Sequence, residues 1–320
     1  MNIFVTGASG WIGSASVAEL LATGHQVVGL ARSDASAAVI EAQGATAVRG
    51  TLADLDTLRE QASAADGVLH LGFVHDFSDY QAAGRIERDA IETFGDALAG
   101  TGKPLLFASG VAGQSAPGRA STEEDASPFT TPDAPRGGAE PLALGFADRG
   151  IRPVALRFAP TVHGAGDHGF MAVLVGIARE RGVAAYVGDG SNRWPAVHRL
   201  DAARLVALAL DGAPAGTRVH AVAEEGIATR EIAEAIGRGL GLPTASIAPD
   251  AAAEHFGWLG ALIGRDIPAS SERTRALLGW EPTHPTLLAD LAAGAYFPVP
   301  ADMVEASEAS DGAAGQAGAA

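Results

Sequence analysis

The chain contains no cysteine in its 320 residues, which excludes a disulfide framework, a thiolate nucleophile and a thiolate metal site. Cations are also scarce: 22 Lys and Arg stand against 38 Asp and Glu, a formal charge of −16. That balance argues against general binding to nucleic acid or to an anionic membrane, and leaves a small molecule as the expected partner. No apolar run approaches the ~20 residues that a membrane-spanning helix requires. The apolar N-terminus lacks a basic leader and is soon interrupted by glycine, so it reads as a first strand rather than an export signal, and a cytoplasmic protein is expected.

Glycine, in contrast, is plentiful, and one group of glycines organises the chain. The stretch Val5-Thr6-Gly7-Ala8-Ser9-Gly10-Trp11-Ile12-Gly13 follows the apolar run Ile3-Phe4-Val5 and leads into Ser14 to Thr23, where Val17, Leu20 and Leu21 recur at helical spacing. Strand, glycine turn and helix form the arrangement that receives a pyrophosphate: glycine lets the backbone approach closely, and the helix start offers unpaired N–H groups and a positive dipole end. A dinucleotide is therefore the expected ligand, held by Thr6, Gly7, Ser9, Gly10, Trp11, Ile12 and Gly13. The second strand, Gln26 to Ala31, ends at Arg32 and Ser33, where such sites read the adenosine ribose. A guanidinium and a hydroxyl suit a 2′-phosphate, whereas a carboxylate would suit a 2′-hydroxyl, so NADP(H) is expected over NAD.

The rest of the first half alternates strand and helix: helix 35–43, strand 45–49, helix 55–63, strand 65–72, helix 80–99 and strand 103–109. Such alternation predicts an α/β fold, a doubly wound parallel sheet covered on both faces. Ligands in these sheets lie beyond the carboxyl ends of the strands, which marks Thr51, Leu52, Gly72, Phe73, Ser109 and Gly110 besides the glycine turn. Gln114 to Pro141 reads as a long loop, followed by a helix at 142–148 and a sixth strand at 153–157. A helix at 170–180, a short strand at 184–187, a tight loop from Gly188 to Pro195, a helix at 201–210, a seventh strand at 218–223 and a helix at 230–240 follow. Residues 1–160 with about 196–223 are expected to form the dinucleotide-binding domain, and about 161–195 with 224–300 a smaller, discontinuous α/β substrate lobe. Phe256, Trp258, Trp280 and Tyr296 are expected in the core of that lobe, and 301–320, without an apolar pattern, to be disordered.

With these marks the chain resembles the extended short-chain dehydrogenase/reductases, the branch of nucleotide-sugar epimerases and related reductases. The resemblance spans about 1–300. It rests on the TGxxGxxG turn at Thr6 to Gly13, Asp66-x-Val68-x-His70-Leu71, Ser109, Leu156-Arg157 followed by Pro160-x-Val162-x-Gly164, and Val197-His198-x-x-Asp201. It implies a Rossmann cofactor domain, a nicotinamide cofactor touching Pro160 and Val162 as well, hydride transfer at a carbon bearing oxygen, and a homodimer.

The chain departs from the family at one point. The family pairs its catalytic Ser with a Tyr and with a Lys four residues later, but Tyr80, Tyr186 and Tyr296 are followed at that distance by Gly84, Gly190 and Pro300, and the single lysine, Lys103, precedes strand five. Counting back from Leu156-Arg157 puts Pro132 at the Tyr position and Arg136 at the Lys position, where Arg136 still suits ribose or phosphate. Replacement acids are sought in His75, beside Asp76, and in His168, with Ser109 as a partner to the substrate heteroatom. His163, Asp167 and His168 share a glycine-rich loop, but without a helix to align them no metal site is expected. The expected function is an NADP(H)-dependent oxidoreductase acting on a carbonyl, an alcohol or a C=N group, since an iminium brings the proton that the missing Tyr would supply. The alternatives are an NADP(H) sensor that has lost catalysis and, ranked lower, a nucleotide-sugar epimerase or dehydratase.

Overall fold

A computed structural model describes residues 1–74, 79–112 and 118–297. The chain runs β1 (Asn2–Thr6), α1 (Trp11–Ala22), β2 (Gln26–Ala31), α2 (Asp34–Ala42), β3 (Thr46–Arg49), α3 (Leu55–Ala64), β4 (Gly67–His70), α4 (Tyr80–Leu98) and β5 (Pro104–Gly110). It continues through α5 (Ala139–Leu144), β6 (Arg152–Phe158), β7 (Thr161–His163), α6 (Phe170–Arg181), β8 (Ala184–Val187), β9 (Arg193–His198), α7 (Arg199–Gly212) and β10 (Thr217–Ala221). The last third holds β11 (Glu224–Ala228), α8 (Thr229–Leu240), β12 (Thr244–Ile247), α9 (Ala252–Phe256), α10 (Gly260–Ile263), α11 (Glu272–Leu278) and α12 (Leu287–Ala292). His75 and the tail at 301–320 lie outside the described residues.

Seven parallel strands form the central sheet in the order β10-β6-β5-β4-β1-β2-β3. The strand period of two divides its side chains between two cores. Ile3, Val5, Leu69, Leu106, Val154 and Leu156 face α1, α2 and α7, while Phe4, Val68, Leu105, Phe107 and Ala155 face α3, α4 and α5. Burial on both faces explains why these strands read as nearly continuous apolar runs. This is the Rossmann arrangement, and among the described residues no helix is long and apolar enough to cross a membrane.

A third core gathers α6, α8, α9 and α12 around Met171, Trp194, Ile236, Leu259 and Leu287. Strand β9 serves two cores: Trp194 and Ala196 face the third, and Val197 faces the first. Trp280, read as part of the lobe, packs instead in the first core, and Trp258 is 52% exposed while Phe256 and Tyr296 are buried.

Two local expectations are corrected, and two strands went unread. The tight loop at 188–195 stops earlier, because Arg193, Trp194 and Pro195 belong to β9, which pairs with β7 and β11. A proline reads as a strand breaker because it lacks an N–H. Here Glu224 pairs with Ala196 and Ile227 with Trp194, so Glu225 and Gly226 bulge opposite Pro195 and the missing donor breaks no ladder bond. The helix expected at 142–148 begins at Ala139 instead, with Pro141 in its first turn, where no N–H is needed. Strands β11 and β12, flanked by charge and glycine, carried no alternation to be read.

Candidate active site

The turn between β1 and α1 is built for close backbone approach. Gly7 has φ +69, and a Cβ on it would lie 2.7 Å from the Gly72 nitrogen; one on Gly13 would lie 1.9 Å from the Gly7 carbonyl oxygen. The Gly10 N–H closes the turn on that carbonyl at 2.9 Å. Gly10 caps α1 without a side-chain oxygen, so no side chain among the described residues takes the first-turn N–H groups of Trp11 and Ile12. An anion fits that helix start, and the pyrophosphate of a dinucleotide carries the matching charge. Buried Thr6 fixes the neighbouring strand end, its Oγ1 accepting from the Gly72 N–H at 3.1 Å and meeting His70 Nδ1 at 2.7 Å. Ser9 and Ile12 are half-buried on the same turn. Trp11 ties it to β7, donating from Nε1 to the Val162 carbonyl at 2.7 Å, just beyond half-buried Pro160.

At the end of β2, Arg32 is exposed and no described residue pairs with it. Ser33 plays a structural part, its hydroxyl accepting from the Ser36 N–H and capping α2. Thr51 likewise donates from its N–H and Oγ1 to Asp54, at 2.6 and 2.8 Å, and these bonds hold the Asp54 carboxyl below its ordinary pKa. Leu52 approaches Gly72.

At the sheet centre the sequence-predicted residues meet partners that sequence reasoning did not single out. Arg136, one of the residues counted toward ribose, forms a forked ion pair with buried Glu87 and lies 4.6 Å above the Phe73 ring. It also has φ +56, the only positive φ of a non-glycine residue among those described. Burial of His70, and then the Arg136 charge, push its imidazole down to about 3, so it stays neutral. Ser109, at the end of β5, donates from Oγ to Glu140 Oε2 at 2.6 Å. Glu140 in turn receives Arg157, wholly buried in β6, through two bonds, and Arg218 Nε at 3.2 Å. His168 is exposed with its ring 5.6 Å from that of Trp11, over which the Arg199 guanidinium lies at 4.2 Å. Asp167 turns away and accepts from the Tyr296 hydroxyl at 2.7 Å. Burial and the nearby Asp167 charge push that phenol far up. Tyr186, on β8, accepts from Arg230. Pro132 is exposed, and Lys103 sits at the opposite end of β5, donating to the Ala65 carbonyl at 2.6 Å.

Glu140 and Glu87 are functional candidates that the sequence pattern did not reveal. Neither belongs to a motif, and only the three-dimensional meeting with Ser109, Arg157 and Arg136 distinguishes each from a solvated surface acid. A separate histidine group also forms. His163 Nδ1 meets Asp290 at 2.7 Å, His198 stacks on His284 with centroids 4.8 Å apart, and His284 bonds Asp201.

A glycine turn opening a doubly wound sheet, with an uncapped helix start facing the strand ends, defines a dinucleotide-binding protein. Residues 3–222 match the NAD-dependent epimerase/dehydratase family, and the chain belongs to that family. Two curated relatives span almost the whole chain. The uncharacterized protein C2A9.02 of Schizosaccharomyces pombe is 50% identical over 93% of this chain and 100% of its own length; YLL056C of Saccharomyces cerevisiae, also uncharacterized, is 43% identical over 92% and 98%. Among solved structures, the dTDP-glucose 4,6-dehydratase DesIV of Streptomyces venezuelae, with NAD bound, shares the fold at TM-score 0.74 and 21% identity, covering 92% of this chain and 96% of that one. Family membership makes this chain an extended short-chain dehydrogenase/reductase, an enzyme of the oxidoreductase and epimerase/dehydratase kind that uses a nicotinamide dinucleotide.

Proposed function

We propose that the chain is an NADP(H)-dependent oxidoreductase that exchanges a hydride with a small-molecule carbonyl, alcohol or C=N group. The observation that carries the cofactor choice is Arg32, an exposed guanidinium with no partner among the described residues, at the position that reads the adenosine ribose. No carboxylate stands at Arg32 or Ser33 to accept from a 2′-hydroxyl, and a guanidinium fork matches a phosphate. Gly7 to Gly13 and the start of α1 would hold the pyrophosphate, and Gly72, Phe73, Pro160 and Val162 would border the nicotinamide half. The bound cofactor supplies or accepts the hydride. What the chain itself contributes is the placing of the substrate heteroatom near Ser109.

A nucleotide-sugar substrate is the weaker reading, because that chemistry leans on the Tyr and Lys whose positions hold Pro132 and Arg136, and two arginines that could meet a diphosphate are already engaged. In the later half of the chain Arg193 is forked onto Asp266, and Arg230 lies 5.0 Å over the Tyr186 ring. The exposed Pro132 and the engaged Arg136 favour, as a second reading, a protein that binds NADP(H) without turnover.

Cofactor affinities test this reading. NADPH should bind at least about tenfold more tightly than NADH, and Arg32→Ala should weaken NADPH by about 10- to 100-fold while hardly changing NADH, as expected for charge-assisted bonds of about 1.5–3 kcal/mol. Equal affinities would reject the NADP reading. NADPH oxidation with any member of a panel of ketones, aldehydes and cyclic imines separates the enzyme from the sensor.

A further inference from the structure

We propose that Glu140 fixes Ser109 as a hydrogen-bond acceptor toward the substrate, so that the site reduces a protonated C=N bond, an iminium, in preference to a ketone or aldehyde. The proposal rests on the oxidoreductase reading above and names its substrate class. A serine hydroxyl has one hydrogen, and that of Ser109 is directed at Glu140 Oε2 at 2.6 Å. The direction is enforced by the opposite partner. Arg157 is wholly buried and binds both Glu140 oxygens, Arg218 adds a third donor, and Arg157 is itself anchored on the Asp125 carbonyl at 2.8 Å and beside His220 Nε2 at 3.3 Å. A carboxylate facing two guanidinium groups accepts and does not donate. Burial alone would raise the Glu140 pKa, but the bonds from Arg157 and Ser109 outweigh it and hold the group below its ordinary value. Ser109 is then left with lone pairs for any substrate.

A ketone oxygen needs a donor, because hydride addition at its carbon leaves an alkoxide that must take up a proton. Tyr296 gives its proton to Asp167, Tyr186 stands on β8 outside the sheet that carries Ser109, exposed His168 lies against Trp11, and Pro132 has no proton to give. An iminium has the complementary polarity: its N–H⁺ donates to the Ser109 Oγ. When hydride from the reduced nicotinamide forms the new C–H bond, the C=N π pair moves onto nitrogen, which keeps its proton. The products are a neutral amine and the oxidised dinucleotide, and no proton is drawn from the protein.

The full chain would be assayed with NADPH against a cyclic imine and the matched cyclic ketone. We expect kcat/KM for the imine to exceed that for the ketone by about 10²-fold or more, the usual worth of a missing general acid. Ser109→Ala should lower the imine value about tenfold at unchanged NADPH affinity. Glu140→Gln should lower imine turnover and raise ketone turnover, so that their ratio falls at least about tenfold, whereas a merely structural Glu140 would lower both together and leave the ratio. Comparable imine and ketone turnover by the native protein, or an unchanged ratio in a folded, NADPH-binding Glu140→Gln, overturns the proposal. A second measurement serves if that variant does not fold: calorimetry of a cyclic amine and its cyclic ether on the NADPH-bound protein, where neither reacts. The protonated amine should bind at least about tenfold more tightly, and Ser109→Ala should remove the difference; equal binding to the native protein overturns the proposal. NADPH binding with no turnover of either substrate class would reject the oxidoreductase reading, and amine-over-ether binding then judges the Ser109–Glu140 geometry independently.

Discussion

Arg157 and Asp201 show how strongly single residues are held by what they meet across the fold. The Arg157 guanidinium is wholly buried and is compensated chiefly by Glu140, itself 6% exposed. Removing one member of a buried pair leaves the other charged and desolvated without its main partner, at a cost of about 3–5 kcal/mol. Arg157→Met should therefore lower stability by that amount in urea unfolding. The double variant Arg157→Met, Glu140→Gln should recover part of the loss, because its remaining polar group is neutral. Asp201 gives a pH prediction. Burial would raise its pKa, but bonds from the His284 ring and from the Thr283 and His284 N–H groups overcome that and hold it below its ordinary value. A carboxyl depressed by folding contributes stability above its unfolded pKa and loses it as pH falls toward the folded value. Thermal stability should accordingly drop as pH is lowered below the ordinary carboxylate range, and Asp201→Asn should flatten that acid limb while costing stability at neutral pH.

At the scale of elements, the strand–turn–helix unit from β1 to α1 was legible because its signals are local. Apolar run, glycine spacing and helical periodicity all lie close together in the chain and agree with one another. The parallel strands were legible for a related reason, since burial on both faces leaves an apolar run that needs no knowledge of the partner strand. Strand β9 was hidden because the bulge that excuses Pro195 is supplied by β11, a later and separate segment. Glu140 was hidden in the same way, its meaning depending on Ser109 and Arg157, which arrive on different strands. The glycine turn permits a sharp test at this scale. A methyl on Gly13 would enter the Gly7 carbonyl at 1.9 Å, backbone against backbone, with no flexible side chain to yield. Gly13→Ala should displace the start of α1 and weaken NADPH binding by about 10²-fold or more, measured by quenching of protein fluorescence. Gly100→Ala, in open space but at φ +74, should cost stability through backbone strain without that loss of binding.

The whole molecule couples its cores through the same region that would receive the cofactor. Strand β9 sends side chains into two cores, and the Trp11–Val162 bond ties α1 of the large sheet to β7 of the small one. A dinucleotide lying over the β1–α1 turn and reaching past Val162 would touch both sheets, so its binding energy should stabilise the molecule as a unit. A ligand that binds only the folded state adds RT ln(1 + [L]/Kd), about 2.7 kcal/mol at 100 times Kd. For a chain of this size that corresponds to a rise of about 4 °C in a single thermal transition. NADH at the same concentration lacks the 2′-phosphate for Arg32 and should raise the transition less, by about 1.4 kcal/mol for each tenfold difference in affinity. Arg32→Ala should make the two shifts equal without lowering the transition of the free protein, because Arg32 is exposed and pairs with no described residue. If NADPH and NADH raise the native transition equally, the 2′-phosphate is not being read and the assignment of Arg32 fails. If instead two separate transitions respond unequally to NADPH, the cores unfold independently and the bridge through Trp11 and β9 is weaker than its geometry implies.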